Sequence, residues 1–431
     1  MSNLKRYIQI YGLALEENDE IQFSFLNVTV ETVMRTNSKT YPSLKITIQG
    51  EAEVYDSAIE SSRYSRPNLL VALGVLSFVS GRDFTVYKVT DNSSSFSPCV
   101  TPSECLSARC IIGGVDHSKS LEAICNSINN EIAHKNTLLF SLLDRWRKAQ
   151  SQLIESEGQG LLEDESLLSF FHVLELLTTE YNQRQKEEVN EKVSNFLNDL
   201  VIDTFKFDGP AAEQKIKEKT KLLKSILIDG DLMSVSSRII YMLEHQGLLD
   251  DRTKNLVQKL VRARNSIAHG RQVFRSRLNW PLPPYFMLHS DFLGLGEIIR
   301  ILSARLIAKH YKLDVWQQEW NETLSALSPS PHKVKDFVNN HDYNKISAKE
   351  YILGAIDLVT PSAVVEAYIN NQISFSEFER SLGGHVENII KLTSEASVAD
   401  PLYIIIFLAD SQDSNLAGFC RDYIQETKVS T

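Results

Sequence analysis

In the stretch VRARNSIAHGR at 261–271, Arg264, Asn265 and His269 bring together side chains suited to phosphodiester chemistry. An imidazole titrates near neutrality and moves protons, whereas a guanidinium stays charged and meets phosphate with a planar fork of donors. On an RNA backbone, His269 would take the proton of a 2′-hydroxyl or give one to the leaving 5′-oxygen, and Arg264 would hold the phosphate as its charge develops. RNA carries its own nucleophile, so this chemistry asks for no metal and no cofactor.

A helix must position these groups. Leu256, Leu260, Ala263 and Ile267 recur at helical spacing and define one apolar stripe, the side that anchors the helix. Asn265 and His269 are four residues apart and share another face, while Arg264 sits about 140° from His269 around the axis, within reach of its long stem. Gly270 follows where helices commonly end in a left-handed cap, which predicts His269 in the last turn. The same residues also fit a solvated arginine and a capping histidine on an ordinary bundle helix.

Charge singles out the same segment. The chain carries a net charge of −10, which argues against a protein coated in positive charge for non-specific nucleic-acid binding. Yet residues 252–290 contain no Asp or Glu, while Arg252, Lys254, Lys259, Arg262, Arg264, Arg271, Arg275 and Arg277 supply positive charge. Lys259, Arg262, Arg271, Arg275 and Arg277 are therefore expected to bind flanking RNA phosphates, with salt-sensitive affinity. WPLPPYF at 280–286 follows this run, either as a rigid connection between helices or as a platform for a base.

Around this helix, the chain reads as a multidomain α+β protein: an N-terminal β-containing α/β domain at 1–137, a central α-helical bundle at 138–312, and a small C-terminal α-helical module at 313–431. In the first segment, IQFSFLNVTVETV and LKITIQGEAEV alternate with the period of half-buried strands. NLLVALGVLSFVSG reads as a glycine-ended helix, FTVYKVT at 84–90 as a strand, and DNSSSFSPCVTPSEC at 91–105 as a loop. From residue 118 the pattern turns helical. It includes an amphipathic helix over 164–181, a separate one in QKEEVNEKVSNFLNDLVI, and AKEYILGAIDLV, PSAVVEAYINN, SFSEFERSLGG and VADPLYIIIFLADS near the C-terminus.

Several classes are excluded. The apolar runs are shorter than the roughly 18–20 residues of a membrane span, and MSNLKRYIQIYG lacks the core of a secretory signal, so a cytoplasmic protein without membrane association is expected. Five cysteines, Cys99, Cys105, Cys110, Cys125 and Cys420, show no C-x-x-C spacing and read as buried thiols. No glycine-rich phosphate loop or catalytic serine elbow is present.

RNSIAHG resembles the R-x(4–6)-H signature of HEPN-domain proteins, in the form where a polar residue, here Asn265, follows the arginine. The resemblance covers 138–312, including LLSFFHVLELL, and its overall look is closest to the ApeA-like branch. It implies a HEPN-like helical bundle and a metal-independent endoribonuclease of toxin or phage-defence (abortive-infection) type, with RNA (tRNA, rRNA or mRNA) as substrate. It further implies a homodimer or higher homo-oligomer with a shared cleft, and a phage-derived trigger or partner protein. A non-catalytic HEPN-like module that binds RNA or protein and assembles a complex is the alternative.

In such bundles a polar residue from an early helix lines the cleft. By that resemblance Glu175 orients His269 or Arg264, with His172 the weaker candidate. Both lie opposite the face of Leu167, Phe170, Phe171, Leu174 and Leu177, and a plain polar helix surface fits them equally. Bare spacing does not single out Arg264, because Arg238 with His245, Arg305 with His310 and Arg380 with His385 share it. Asn265, Gly270 and the acid-free surround distinguish it.

Overall fold

The alternation of Ile21, Phe23 and Phe25 is realised as strand β2 (Glu20–Phe25) in the computed structural model, with these side chains on its buried face. The structure describes residues 4–36, 40–53, 56–96, 107–155, 162–207, 209–229, 233–269, 294–327, 329–340, 359–395 and 402–429. The described strands β1 (Leu4–Ala14), β2, β3 (Val28–Thr36), β4 (Thr40–Glu53), β5 (Val89–Phe96), β6 (Arg109–Ile112) and β7 (Val115–Asp116) form one antiparallel sheet, ordered β5-β1-β4-β3-β2-β6-β7. Register carries apolar contact across it: Phe23 opposes Val30, Val30 opposes Ile46, and Ile46 opposes Tyr11, all buried.

Two sequence expectations in this segment are corrected. Only Val89 and Thr90 of FTVYKVT are strand, after a short 3₁₀ turn at Val86–Lys88, and the polar residues that follow continue edge strand β5 to Phe96 instead of forming a loop. β5 is largely exposed and joins the sheet through its backbone pairing with β1, which requires no apolar alternation. Residues 97–106 of the expected loop, with Cys99 and Cys105, lie outside the described residues.

Helix α1 (Ala58–Ser80) covers the sheet and starts well before the apolar run that announced it. Ser57 and Glu60 form a capping box: the Ser57 hydroxyl accepts from the Glu60 N–H at 3.2 Å, and the Glu60 carboxylate accepts from the Ser57 N–H at 2.8 Å. Gly81, at φ 69°, closes the helix, its N–H donating to Ser77 O. Gly74 lets α1 approach α3 (Leu138–Glu155) closely, since a Cβ there would lie 3.2 Å from Leu143 Cβ.

Around α3 the core is aromatic. Trp146, fully buried, makes edge contacts with Phe78 at 5.4 Å, Trp316 at 5.5 Å and Phe170 at 6.1 Å between ring centroids. Its indole N–H donates to Arg300 O, and that of Trp316 to Phe78 O. Sheet and central helices thus share one set of contacts. The chain divides into two compact units, residues 1–248 with 259–320, and residues 249–258 with 321–431.

Further helices of the first unit include α2 (Ser118–Ala133), α4 (Glu163–Asn198), α5 (Gly209–Lys224), α6 (Val235–His245) and α8 (Leu295–His310). Helix α4 merges the two helices expected over 164–181 and in QKEEVNEKVSNFLNDLVI, because no proline or glycine interrupts the chain between them. Helix α7 (Asp251–Ala268) contributes residues to both units. The second unit is helical, with a core around Phe378, Val364 and Ile405. Its helices include Pro361–Ile369, Phe375–Leu382 and Leu402–Leu408, within three of the expected pieces; AKEYILGAIDLV lies almost wholly outside the described residues. Among the described residues no helix is long and apolar enough to cross a membrane.

Candidate functional site

Helix α7 presents its stripe largely as spacing requires: Leu256, Leu260 and Ala263 are buried, together with Val257, while Ile267 near the helix end is only half-buried. Burying Ala263 leaves its neighbour Arg264 at the edge of the packed face, and there it meets α4. Arg264 Nη2 donates to Glu175 Oε1 at 3.0 Å, and Nη1 donates to Asn265 Oδ1 at 3.2 Å. The guanidinium carbon lies 5.9 Å from the centre of the Phe171 ring, one turn before Glu175 on the same helix. A carboxylate, an amide and an aromatic ring thus hold one cation at the junction of α4 and α7.

This arrangement leaves the cation usable. A guanidinium has five N–H donors, of which these contacts occupy two. Side-chain exposures of 28% for Arg264 and 30% for Glu175 keep the pair open to solvent, so an incoming anion need not strip a buried ion pair. His269 follows the helix end at Ala268; its side chain is exposed, and its backbone N–H still donates to Asn265 O at 3.1 Å. Asn265 therefore serves both partners, with its side chain toward Arg264 and its carbonyl toward His269.

Of the expected phosphate-binding residues, Arg262 is exposed and Lys259 half-buried, while Arg271, Arg275 and Arg277, like Gly270 and WPLPPYF, lie outside the described residues. Arg252 does not belong to a surface patch. It is buried, and its guanidinium donates to Leu324 O at 3.1 Å.

Among the other Arg/His pairs, Arg305, His310 and His245 sit in packed surroundings. Arg305 is buried and donates to Val315 O at 3.1 Å and to Gln317. Gln246 Nε2 donates to the Tyr181 hydroxyl at 2.9 Å, and that hydroxyl lies 3.2 Å from His310 Nδ1, to which its proton is free to point. Burial holds the His310 imidazole below its ordinary pKa, against the pull of Glu180 and Glu131. His245 stacks on Tyr241 with 4.1 Å between ring centroids, and its Nδ1 lies 3.1 Å from Tyr241 O. Arg380 donates to Asn339 Oδ1 at 2.6 Å.

Sequence reasoning placed Phe171 in the core and missed its second role beneath Arg264. The signal available was its position four residues before Glu175, on adjoining faces of one helix. Among the described residues no group of three or more His, Cys, Asp or Glu is placed to hold a metal ion. Comparison of the chain with protein-family models, characterised proteins and solved structures finds no match.

Proposed function

We propose that the chain is a HEPN-like, metal-independent endoribonuclease acting in phage defence or as a toxin, with Arg264 and His269 as its catalytic residues. One observation carries this reading: Arg264 is braced by Glu175 and Asn265 with donors to spare, and His269 stands exposed at the end of the same helix. A braced guanidinium meets a phosphate already oriented, which is where preorganised charge contributes most.

In the reaction, the 2′-oxygen bonds to phosphorus as the phosphorus–O5′ bond breaks. The 2′-hydroxyl proton passes to a base and the 5′-oxygen gains one from an acid, giving a 2′,3′-cyclic phosphate and a 5′-hydroxyl. His269 supplies one of these proton transfers. In a homodimer or higher homo-oligomer, a second copy of His269 would supply the other. The strand-containing segment would sense or position the RNA, and the C-terminal helices would regulate or assemble the complex.

The test is cleavage of tRNA, rRNA and mRNA by purified protein. The expected result is cleavage that survives chelator and is lost in Arg264→Ala and His269→Ala; cleavage equal to wild type in both variants refutes the assignment. A second reading rests on the fact that Arg264 already has a carboxylate partner, which also suits a non-catalytic module that binds RNA or a protein and assembles a complex. Salt-sensitive RNA binding by wild type without cleavage of any of these RNAs selects it.

A further inference from the structure

Helices α3 and α4 form an open cavity of about 360 Å³ lined by Ser141, Asp144, Arg145, Lys148, Ser169 and His172. The α3 residues recur at helical spacing along one face, and Ser169 and His172 form the facing row on α4. That row continues to Glu175, which holds Arg264. His172 precedes Glu175 by three residues, about 4.5 Å of helix rise, so a residue lining the cavity sits within about one turn along α4 of the residue that holds Arg264.

The lining is electropositive. Two cations of the lining, Arg145 and Lys148, stand against the single carboxylate of Asp144, which Lys148 meets at 2.6 Å and which the buried Arg147, outside the lining, meets at 3.0 Å. Burial pushes the Asp144 carboxyl up, but its contacts with Lys148 and Arg147 outweigh this and hold it below the usual carboxylate range. Arg145 is exposed and has no ion-pair partner among the described residues. Ser169 donates to Gln152 Oε1 at 2.8 Å, tying α4 to α3 at the lining. An imidazole and two outward cations around a polar cavity of this size match a phosphate group, and a cation left unpaired in an acidic chain is a natural contact for a polyanion.

We propose that this cavity binds a backbone phosphate of the same RNA strand whose scissile phosphate Arg264 holds, so that the strand runs along α4 from Arg264 past His172 to Arg145 and Lys148. This rests on the endoribonuclease reading and adds a path for the substrate that the segment after Arg252 does not contain. The cavity acts by positioning: it fixes the register of the strand on α4 and takes no part in bond-breaking.

The test measures binding of a labelled single-stranded RNA to the full chain over a range of salt concentrations, in a His269→Ala background that prevents turnover. Each lost phosphate contact lowers the slope of log affinity against log salt by about 0.7, so Arg145→Gln with Lys148→Gln, which empties this one phosphate site, should lower it by about 0.7 and weaken binding on the order of tenfold. Arg145→Lys, which keeps the charge, should bind nearly as the parent does. Thermal melting followed by circular dichroism checks folding; if the double variant is unstable, exposed Arg145→Gln alone carries the test, with a slope change in the same direction of at most about 0.7. An unchanged slope alongside weakened binding by Arg264→Ala overturns the strand path and leaves the endoribonuclease reading standing. Failure of every form to bind RNA overturns both.

Discussion

Arg264 on α7 and Glu175 on α4 form an ion pair at 3.0 Å that joins residues 89 positions apart and fixes the guanidinium over Phe171. Both side chains are nearly a third exposed, so the pair is expected to add little to stability. A double-mutant cycle on Arg264→Ala and Glu175→Ala, followed by urea unfolding, should give a coupling of about 0.2–1 kcal/mol. Its effect on RNA cleavage should be larger: Glu175→Ala is expected to cut kcat roughly tenfold with a smaller change in KM, because the guanidinium loses its bracing rather than its charge. Equal kcat in Glu175→Ala and wild type would show that Glu175 does not position Arg264 for catalysis.

Arg252 and Arg262 separate structural from RNA-facing charge on one helix. Arg252 is buried and satisfies a carbonyl, whereas Arg262 is exposed. Arg252→Ala is expected to destabilise the fold by about 1–3 kcal/mol, since it removes a buried side chain and its hydrogen bond to Leu324 O, with no change in the salt slope of RNA binding. Arg262→Ala should do the reverse, lowering the slope by about 0.7 with stability within about 0.5 kcal/mol of wild type. Unfolding curves and salt-dependent binding on the two variants give both readouts, and a crossed result would reverse the assignment.

That contrast marks what spacing along a chain reveals. Leu256, Leu260 and Ala263 were legible as the anchoring stripe of α7 because helical periodicity reports burial directly. The period of β2 and β4 was legible for the same reason. Strand β5 was not, because an exposed edge strand is held by backbone pairing that leaves no apolar signature. Glu175 stood out as a polar residue on a helix with a buried face, but its contact with Arg264 depends on how α4 and α7 meet, which no local pattern encodes. Arg145 and Lys148 passed unnoticed because their meaning lies in the gap between two helices.

The described cysteines yield a simpler expectation. Cys110, Cys125 and Cys420 are buried thiols, and burial, reinforced by Asp116 and Asp19, pushes the Cys110 thiol up to about 12. Since the thiolate is the reactive form, Cys110 should resist alkylation in the native protein and react once the chain unfolds. Mass spectrometry after iodoacetamide treatment, with and without denaturant, reads this out. Native labelling of Cys110 at the rate of a free thiol would show that β6 is not packed as described.

His310 makes stability depend on pH. Burial lowers its pKa in the folded chain below the ordinary imidazole value of about 6.5 that it regains on unfolding. Between the two values the unfolded chain binds more protons, so stability rises with pH across that window. The contribution is therefore complete above the ordinary value and is lost as pH falls through it toward the folded pKa, where a protonated Nδ1 no longer accepts from the Tyr181 hydroxyl. Wild type should lose stability in urea unfolding from about pH 8 to about pH 5, and His310→Gln, which keeps an acceptor for Tyr181 but cannot take up the proton, should lose less. His117, whose pKa burial also lowers, contributes a similar loss to both proteins and cancels in the comparison. Identical acid-side losses in wild type and His310→Gln would mean that His310 does not titrate differently on unfolding, and that its contact with Tyr181 carries no pH-dependent stability.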